Sequence, residues 1–508
     1  MNEDNVIEVC EEDEVIPACS EIETGALGTA PDTGTEDGLA RHFLREEKGN
    51  FLWVHDNGPK GALAAWVESR WTTDDAGYRV LDGKISDFCN RMFREMPVST
   101  DKKKADYRRK FLESRFQIGM RHIILGQLGQ PGETCVPLAK FDADPLILGI
   151  PPRQEGTQKI GRVVDLRLAT VRDVTRSEYV SKNIDIVPDF DMPTPLWWKT
   201  LLDTMSGEQD RADFLDRCFG YSLTAMVREE VWFILGSPTS SREDERGRGG
   251  KGTLVETAVN ILGDHVFAVT LNYDQVMTSK NTHADLKRTY GEIHGMRFVV
   301  VGEAQEGSGH RINQAMIKSL TGKDRAPGAK LWKDITSPKP TWKFWTHLNF
   351  SPTLERTSAM RDRVLFIEFR ERFTKENGRV NPRLKEQLEA EYPGILARWI
   401  RAAADWYRNG LQVPESITRA SARLFEDTDY EKRFVTERLL HTGDHDSDFI
   451  GDKEMAEALK VFVDGVGEPG AYAKASKLGP HLEKLRAKHI RRGPRGAQSW
   501  GWTGVKLA

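Results

Sequence analysis

A chain of 508 residues, 39 % hydrophobic and 30 % charged, has the length for roughly two to four globular domains, and with no run of about eighteen apolar residues and an acidic start, neither a membrane-spanning helix nor a secretory leader is expected. Its five cysteines are scattered without a C-x-x-C pair, which argues against a disulfide framework or a cysteine zinc site and fits a reduced cytoplasm. Net charge is −4, yet residues 1–38 hold twelve Asp/Glu and no Lys or Arg, so the remainder carries +8, the sign that phosphate contacts require.

Residues 1–38 are aromatic-free, bury too little to order, and read as a disordered acidic tail. Residues 39–193 form a mixed region. Phe51–Val54, Trp66-Val67 and Trp71 read as short strands, and Lys102–Arg115 as a helix. The stretch 153–193 is strand- and loop-rich and runs up to Pro193 and Pro195. A helix then spans Trp197 to Arg228, with Phe214, Leu215, Phe219 and Leu223 at helical spacing. Five apolar runs follow, suited to buried strands: Val231–Leu235, Val266–Thr270, Phe298–Val301, Lys343–Leu348 and Val364–Phe369. Leu254–Leu262 is an amphipathic helix stopped by Gly263. Buried strands alternating with helices predict an α/β sheet covered on both faces. Residues 383–410 read as helical with a break at Pro393-Gly394, and residues 411–508 read as a separate region.

The first strand runs into Gly236-Ser237-Pro238, and Gly247-Arg248-Gly249-Gly250-Lys251-Gly252-Thr253 opens the amphipathic helix. Strand, glycine-rich loop, lysine and helix start together cradle phosphates. Backbone N–H groups turn toward the anion, the helix end adds partial positive charge, and the lysine reaches the terminal phosphates. Gly236, Gly249, Gly250, Lys251, Gly252 and Thr253 are therefore the candidate nucleotide-binding residues, against the alternative of a bland glycine-rich loop. The loop is unusual: thirteen residues separate Gly236 from Gly250, and Gly252 stands where a Mg²⁺-binding hydroxyl is expected, with Thr253 next.

Ligands of open α/β sheets sit at the carboxyl ends of the strands. Glu303 and Asn349 fall there, the first to position an attacking water and help hold Mg²⁺, the second to orient that water or touch the γ-phosphate. Arg361 and Arg363 precede the last strand, on the opposite rim. An Arg there suits a neighbour's nucleotide, as an arginine finger in trans, which implies an oligomer.

The order and spacing of these pieces resembles the superfamily 3 helicases, in the branch of phage and plasmid primase–helicases related to the poxvirus primase–helicase. The stretches that carry it are Phe219-Gly220-Tyr221-Ser222-Leu223-Thr224, Gly250-Lys251, Gly295 to Glu303, Ile317 to Asp324, Asn349-Phe350-Ser351-Pro352 and Arg361-Asp362-Arg363. Upstream, Phe141 to Pro145 and Pro193 to Trp197 resemble the family's helicase-associated region, so the match covers roughly residues 40–410. It implies an AAA+-like P-loop ATPase core in an α/β fold, a helical N-terminal region and a C-terminal winged-helix domain, with borders at 1–38, 39–193, 194–410 and 411–508. By resemblance Lys251 is the Walker A lysine, Glu303 the Walker B acid, Asn349 the sensor and Arg363 the finger. ATP and Mg²⁺ are the implied cofactors, with Thr253 and Glu303 on the metal. A hairpin after Leu320-Thr321-Gly322-Lys323-Asp324 is implied to carry DNA-contacting lysines, Lys333 and Lys339, flanked by Lys330 and Lys343. The implied partners are single-stranded or forked DNA, further copies of the chain in a hexamer, and a separate primase or polymerase. The implied setting is a bacterial host's cytoplasm. Gly302, where a second acid is frequent, departs from the pattern, and the region before the helicase leaves no room for a primase.

Residues 474–506 hold nine Lys or Arg against one acid, Glu483. Pro480–Lys488 reads as a helix, and Ile490 and Trp500–Leu507 as strands around an Arg/Gly turn. Helix and β-wing make a winged-helix signature, with Arg491 and Arg492 on DNA. The competing expectation is an origin-binding or regulatory DNA-binding protein whose altered loop has lost hydrolysis. A nucleotide kinase would need an acceptor lid that the sequence lacks.

Overall fold

The computed structural model describes residues 35–55, 61–73, 75–239, 247–273, 283–302, 313–323, 328–329, 335–336, 339–349, 352, 354–466, 473–494 and 498–508. Two compact units emerge: Met1–Lys48 with Leu81–Leu128, and Gly49–Val80 with Gly129–Ala508.

In the first unit, α1 (Glu36–Glu46), α2 (Asp75–Glu95) from Leu81 onward, α3 (Lys102–Lys110) and α4 (Ser114–Leu128) bury Leu39, Phe43, Phe88 and Met120. Phe43 and Phe88 meet edge to face at 5.6 Å. Thr35 caps α1 by accepting from the Gly38 N–H at 3.0 Å. Glu36–Gly38, read from sequence as the end of the acidic tail, thus open a helix instead. An acidic pair after a Thr cap suits the positive end of a helix dipole. Residues 1–34 lie outside the described residues. The single helix expected over Lys102–Arg115 is two, interrupted at 111–113.

The second unit begins with two small sheets. One is ordered β3-β2-β1-β4, from β1 (Phe51–Val54), β2 (Ala62–Val67), β3 (Arg70–Thr72) and β4 (Cys135–Val136). The other is an antiparallel meander of β5 (Ile147–Glu155), β6 (Gln158–Asp165) and β7 (Thr170–Asp173). The long helix expected over Trp197–Arg228 is α5 (Pro195–Thr204) and α6 (Gln209–Leu223). Ser206 and Gly207, both at positive φ, break it.

At the centre lies a five-stranded sheet ordered β14-β8-β13-β10-β9, every neighbouring pair parallel. Its strands are β8 (Trp232–Gly236), β9 (Ala268–Leu271), β10 (Phe298–Val301), β13 (Lys343–His347) and β14 (Val364–Glu368), within two residues of the five apolar runs at most ends. Each strand is apolar on both sides because helices cover both faces. Phe233, Leu235, Phe298, Val300 and Trp345 pack with α5, α6, α7 (Lys251–Leu262) and α12 (Tyr392–Asn409). Trp232, Ile234, Val299, Val301 and Phe344 pack with α8 (His283–Ile293), α9 (Gln314–Thr321) and α13 (Glu415–Asp427). This period-two alternation is what a doubly covered strand requires. Phe219 of α6 lies between Trp345 at 5.2 Å and Trp399 at 5.0 Å, both stacked. Beside them Asp216 accepts from the indole N–H groups of Trp197 and Trp399 at 3.0 and 3.1 Å and pairs with Arg398. Its burial pushes that carboxyl up despite these donors.

Between α9 and β13, β11 (Gly328–Ala329) pairs antiparallel with β12 (Ile335–Thr336); residues 330–334 between them lie outside the described residues. α10 (Ser358–Arg361) precedes β14, and α11 (Leu384–Glu389) and α12 follow it. The break expected at Pro393-Gly394 falls at residues 390–391, between α11 and α12, and Pro393 sits in the first turn of α12, where Pro is tolerated because the N–H has no intrahelical partner.

The chain ends in a separate core built on Tyr430, Phe434, Leu459, Leu482 and Val505. It comprises α14 (Tyr430–Arg438), β15 (Leu439–His441), β16 (Phe449–Gly451), α15 (Asp452–Val466), α16 (Gly479–Lys484), β17 (Lys488–Arg492), β18 (Ser499–Thr503) and β19 (Val505–Leu507). β17 and β18 form a hairpin, with β16 on the other side of β18. The helix expected over Pro480–Lys488 stops at Lys484, and Lys488 already belongs to β17.

Candidate functional site

All five central strands point the same way, so their carboxyl ends share one rim. The Leu348 N–H donates to Leu235 O at 2.9 Å, the Phe369 N–H to Gly236 O at 2.8 Å and the Gly302 N–H to Leu271 O at 3.1 Å. Gly236 ends β8 against the ring of Phe366, where a Cβ would lie 2.4 Å from that ring. The loop that follows reaches Gly250 at φ +86°, where a Cβ would meet Thr204 Cγ2 at 2.7 Å. Gly250 is the N-cap of α7 and supplies no side-chain cap. The first amide groups of that helix therefore lack the usual Ser, Thr or Asp oxygen and present their partial positive charge to the rim.

Lys251 is the first residue of α7 and is 4 % exposed. Its Nζ donates to Asn349 Oδ1 at 2.9 Å, across 98 residues of sequence. Asn349 follows β13 directly, and Gly247 at the near end of the loop approaches the same amide, a Cβ there lying 3.7 Å from Oδ1. A buried ammonium and the positive end of a helix thus converge on one spot. An ammonium beside the amides of a helix N-terminus is an arrangement that can receive an anion. Two of the three predicted rim residues, Lys251 and Asn349, are in direct contact. The third, Glu303, lies outside the described residues, as does the 240–246 part of the loop.

The segment after β14 covers the loop. The Phe373 N–H donates to Arg248 O at 2.9 Å, and Gly249 packs on Phe369 and Glu371. Between this segment, the outer turns of α5 and the start of α7 lies a cleft of about 440 Å³, lined by Leu196, Thr200, Thr204, Thr253, Phe373 and Val380 among others. Arg248 and Arg379 also line it, with the Arg379 guanidinium 4.7 Å from the centre of the Phe373 ring. Thr253 faces this cleft; Gly252 beside it is exposed, with open space where a Cβ would be. Sequence reasoning missed the cleft walls. They come from segments far apart in the chain, and the local signals were Gly250 and Thr253, named from the loop motif, with Arg248 beside them.

Arg363 lies just before β14, where its carbonyl accepts from the Trp232 N–H at the amino ends of the strands. It is on the rim opposite Lys251. Its guanidinium donates to Ala359 O at 2.8 Å and lies 3.6 Å from Glu230. Arg361 rests 4.9 Å over the ring of Phe425. Lys339 is exposed, and Lys333 and Lys330 lie outside the described residues. Lys343, read from sequence both as flanking the hairpin and as the first residue of a buried strand, follows the second reading. It is buried, not part of a basic hairpin face, and its Nζ donates to Thr224 O and sits 4.8 Å over Tyr221. Burial pushes its pKa well below that of a free lysine. Arg297 does the same work beside it, donating to Leu223 O at 2.5 Å and Ile147 O at 2.6 Å, and burial pushes it down to about 10. Both cations cap the carboxyl end of α6, where the helix dipole is negative. In the C-terminal core Arg491 is exposed, while Arg492 bonds Asp446 O and lies over Phe449.

Among the described residues no group of three or more His, Cys, Asp or Glu is placed to hold a metal ion, and no helix is long and apolar enough to cross a membrane. No family model matches the sequence, and no curated protein does. Solved structures with similar coordinates include the apo C-terminal region of NrS-1, at 12 % identity and TM-score 0.39 over 76 % of this chain and 90 % of that one. A second structure of that region, residues 305–718, matches at 12 % identity and 0.37 over 71 % and 96 %. The JCV helicase matches at 12 % identity and 0.22 over 47 % and 62 %. Similarities this distant carry no functional argument, which rests on the residues of the chain itself.

Proposed function

We propose that this protein is an ATP-driven DNA helicase of the superfamily 3 kind, with an AAA+-like P-loop core, that works as a hexameric ring on single-stranded or forked DNA in the replication of a phage, prophage or plasmid. The observation that carries the reading is the 2.9 Å bond between buried Lys251 and Asn349 at the uncapped start of α7. In this reading the triphosphate lies along the amides of Gly249 to Thr253, and the base enters the cleft beside Phe373. Lys251 leaves Asn349 for the β- and γ-phosphate oxygens, which frees the Asn349 amide to orient the attacking water. Phosphoryl transfer asks mainly for positioning and charge neutralisation, and these groups supply both. Thr253 and Glu303 would hold Mg²⁺, which neutralises phosphate charge when bound. Arg363 acts on the nucleotide of the adjoining subunit.

Lys333 and Lys339 grip the DNA backbone, and the C-terminal region, expected from sequence as a winged-helix domain over 411–508 but with its own core from Tyr430 onward, adds Arg491 and Arg492. The working partners are a separate primase or polymerase, in a bacterial host's cytoplasm. The test is ATP turnover with and without single-stranded DNA, beside a sizing measurement with nucleotide. Stimulation by DNA and a ring-sized species support the motor. A second reading, an origin-binding or regulatory protein without hydrolysis, is favoured by Gly252 at the position of the metal-binding hydroxyl. It predicts nucleotide and DNA binding with no turnover.

A further inference from the structure

The β17–β18 hairpin carries, beside Arg491, three aromatic rings to which the proposed motor gives no part. Residues directly opposite in an antiparallel pair share a face, and the register sets His489 opposite Trp502 and Arg491 opposite Trp500. Two indoles, an imidazole and a guanidinium therefore lie on one side of the hairpin. The rings form a ladder: His489 is 4.7 Å from Trp502 and stacks on Trp500 at 5.2 Å with 20° between planes. The inner end is fixed. Trp502 packs on the C-terminal core and next to Gly479, and Asp452 holds His489 Nε2 at 3.0 Å. The outer end is open, for Trp500 remains 53 % exposed although His489 covers it. The opposite face is tied down through Arg492 to Asp446 O and through Gly501 against Phe449.

We infer that this face is a stacking platform for an unpaired nucleobase, with Trp500 taking the base and Arg491 the adjoining phosphate. The inference rests on the DNA-binding reading of this domain and specifies its ligand. Charge selects the partner: nine Lys or Arg against one acid over residues 474–506 call for a polyanion. Geometry selects the base. A flat indole offers a ring face, and bases within a duplex keep theirs covered, so a single strand or a duplex end with a splayed strand is what the platform fits.

The experiment measures full-chain affinity by fluorescence anisotropy for a single strand, a blunt duplex and a forked duplex. The proteins are wild type, Trp500→Ala, Trp500→Phe and Arg491→Ala, each checked for an unchanged melting temperature. Trp500→Ala weakens single-strand and fork binding roughly five- to a hundred-fold and blunt-duplex binding by less than about two-fold, and Trp500→Phe restores most of the loss. Arg491→Ala lowers the salt dependence by about one charge on all three. Unchanged affinity of Trp500→Ala for every oligonucleotide that wild type binds overturns the platform and leaves the DNA reading standing. Equal loss on all three also overturns it. Loss of self-association with oligonucleotide affinity intact assigns the face to a second copy of the chain, against the inference. Failure of wild type to bind any of the three ends both.

Discussion

The two rims of the central sheet hold buried cations in opposite electrostatic settings. At the amino rim, Lys343 and Arg297 donate to Thr224 O, Leu223 O and Ile147 O, and the first two carbonyls belong to the negative end of α6. There the cation's partner is built into the fold. At the carboxyl rim, Lys251 meets a neutral side-chain amide at the positive end of α7. Sequence position, residue type and burial do not separate these lysines. The polarity of the helix end beside each one does, and under the proposed function the first is a structural cap and the second a group that binds an anion.

The sharpest break in this comparison comes from exchanging the rims' lysines one at a time. Lys251→Ala is expected to abolish ATP turnover, a loss of at least about 10³-fold, with little change in melting temperature. Turnover that survives the substitution returns Lys251 to a structural role, and the two rims become alike.

Arg363 is the amino-rim cation that the proposed function removes from the comparison. Its bond to Ala359 O and its approach to Glu230 are structural, as at Lys343, yet the motor needs it on a neighbour's nucleotide. Arg363→Ala is expected to lower kcat roughly 10³-fold. Mixing it with inactive Lys251→Ala subunits tests the geometry. If the finger acts in trans, mixed oligomers recover activity at interfaces that join an intact Lys251 to an intact Arg363. No recovery at any ratio confines Arg363 to the fold. A smaller effect follows at Asn349→Ala, about 10²-fold in kcat with nucleotide affinity nearly kept, because the amide orients a water and does not carry the phosphates. A change in KM alone contradicts that role.

The strands of this fold were legible in the sequence because each is a short continuous apolar run, the mark of burial on both faces. The Lys251–Asn349 meeting was legible for a topological reason: parallel strands deliver all their carboxyl ends to one rim, so a residue just past a strand has a known address. What stayed hidden depends on distant partners. Lys343 opens a run read as a buried strand, yet its acceptor stayed hidden because the carbonyl that accepts from it is 119 residues away. The α5–α6 break rests on Ser206 and Gly207 at positive φ, in a segment whose hydrophobic spacing alone looks continuous. The cleft walls at Thr200, Thr204 and Phe373 meet only in the fold. Glu303 was predicted from the same rim rule as Asn349 and lies outside the described residues.

The smallest expected effect isolates the amino rim by its pH dependence. Native Lys343 loses its proton well below the value of 10.5 that it has in a solvated chain. Between the two values the unfolded chain holds more protons than the native one, so stability rises with pH across that window, by at most about 1.4 kcal/mol per pH unit. The cost of the buried charge is complete below the native pKa and gone above 10.5. Lys343→Met keeps the volume and removes the titration, so its melting temperature lacks that rise, and the growing difference from wild type as pH increases toward 10.5 reports the term. Arg297 is itself pushed down to about 10 and its charge helps to lower the Lys343 pKa, so the comparison is read below pH 10, where Arg297 keeps its proton in both proteins. Parallel curves for the two proteins show that the Lys343 ammonium is not desolvated against α6. The contrast with Lys251 then loses its electrostatic basis, because a hydrated amino-rim lysine needs no helix end to hold it.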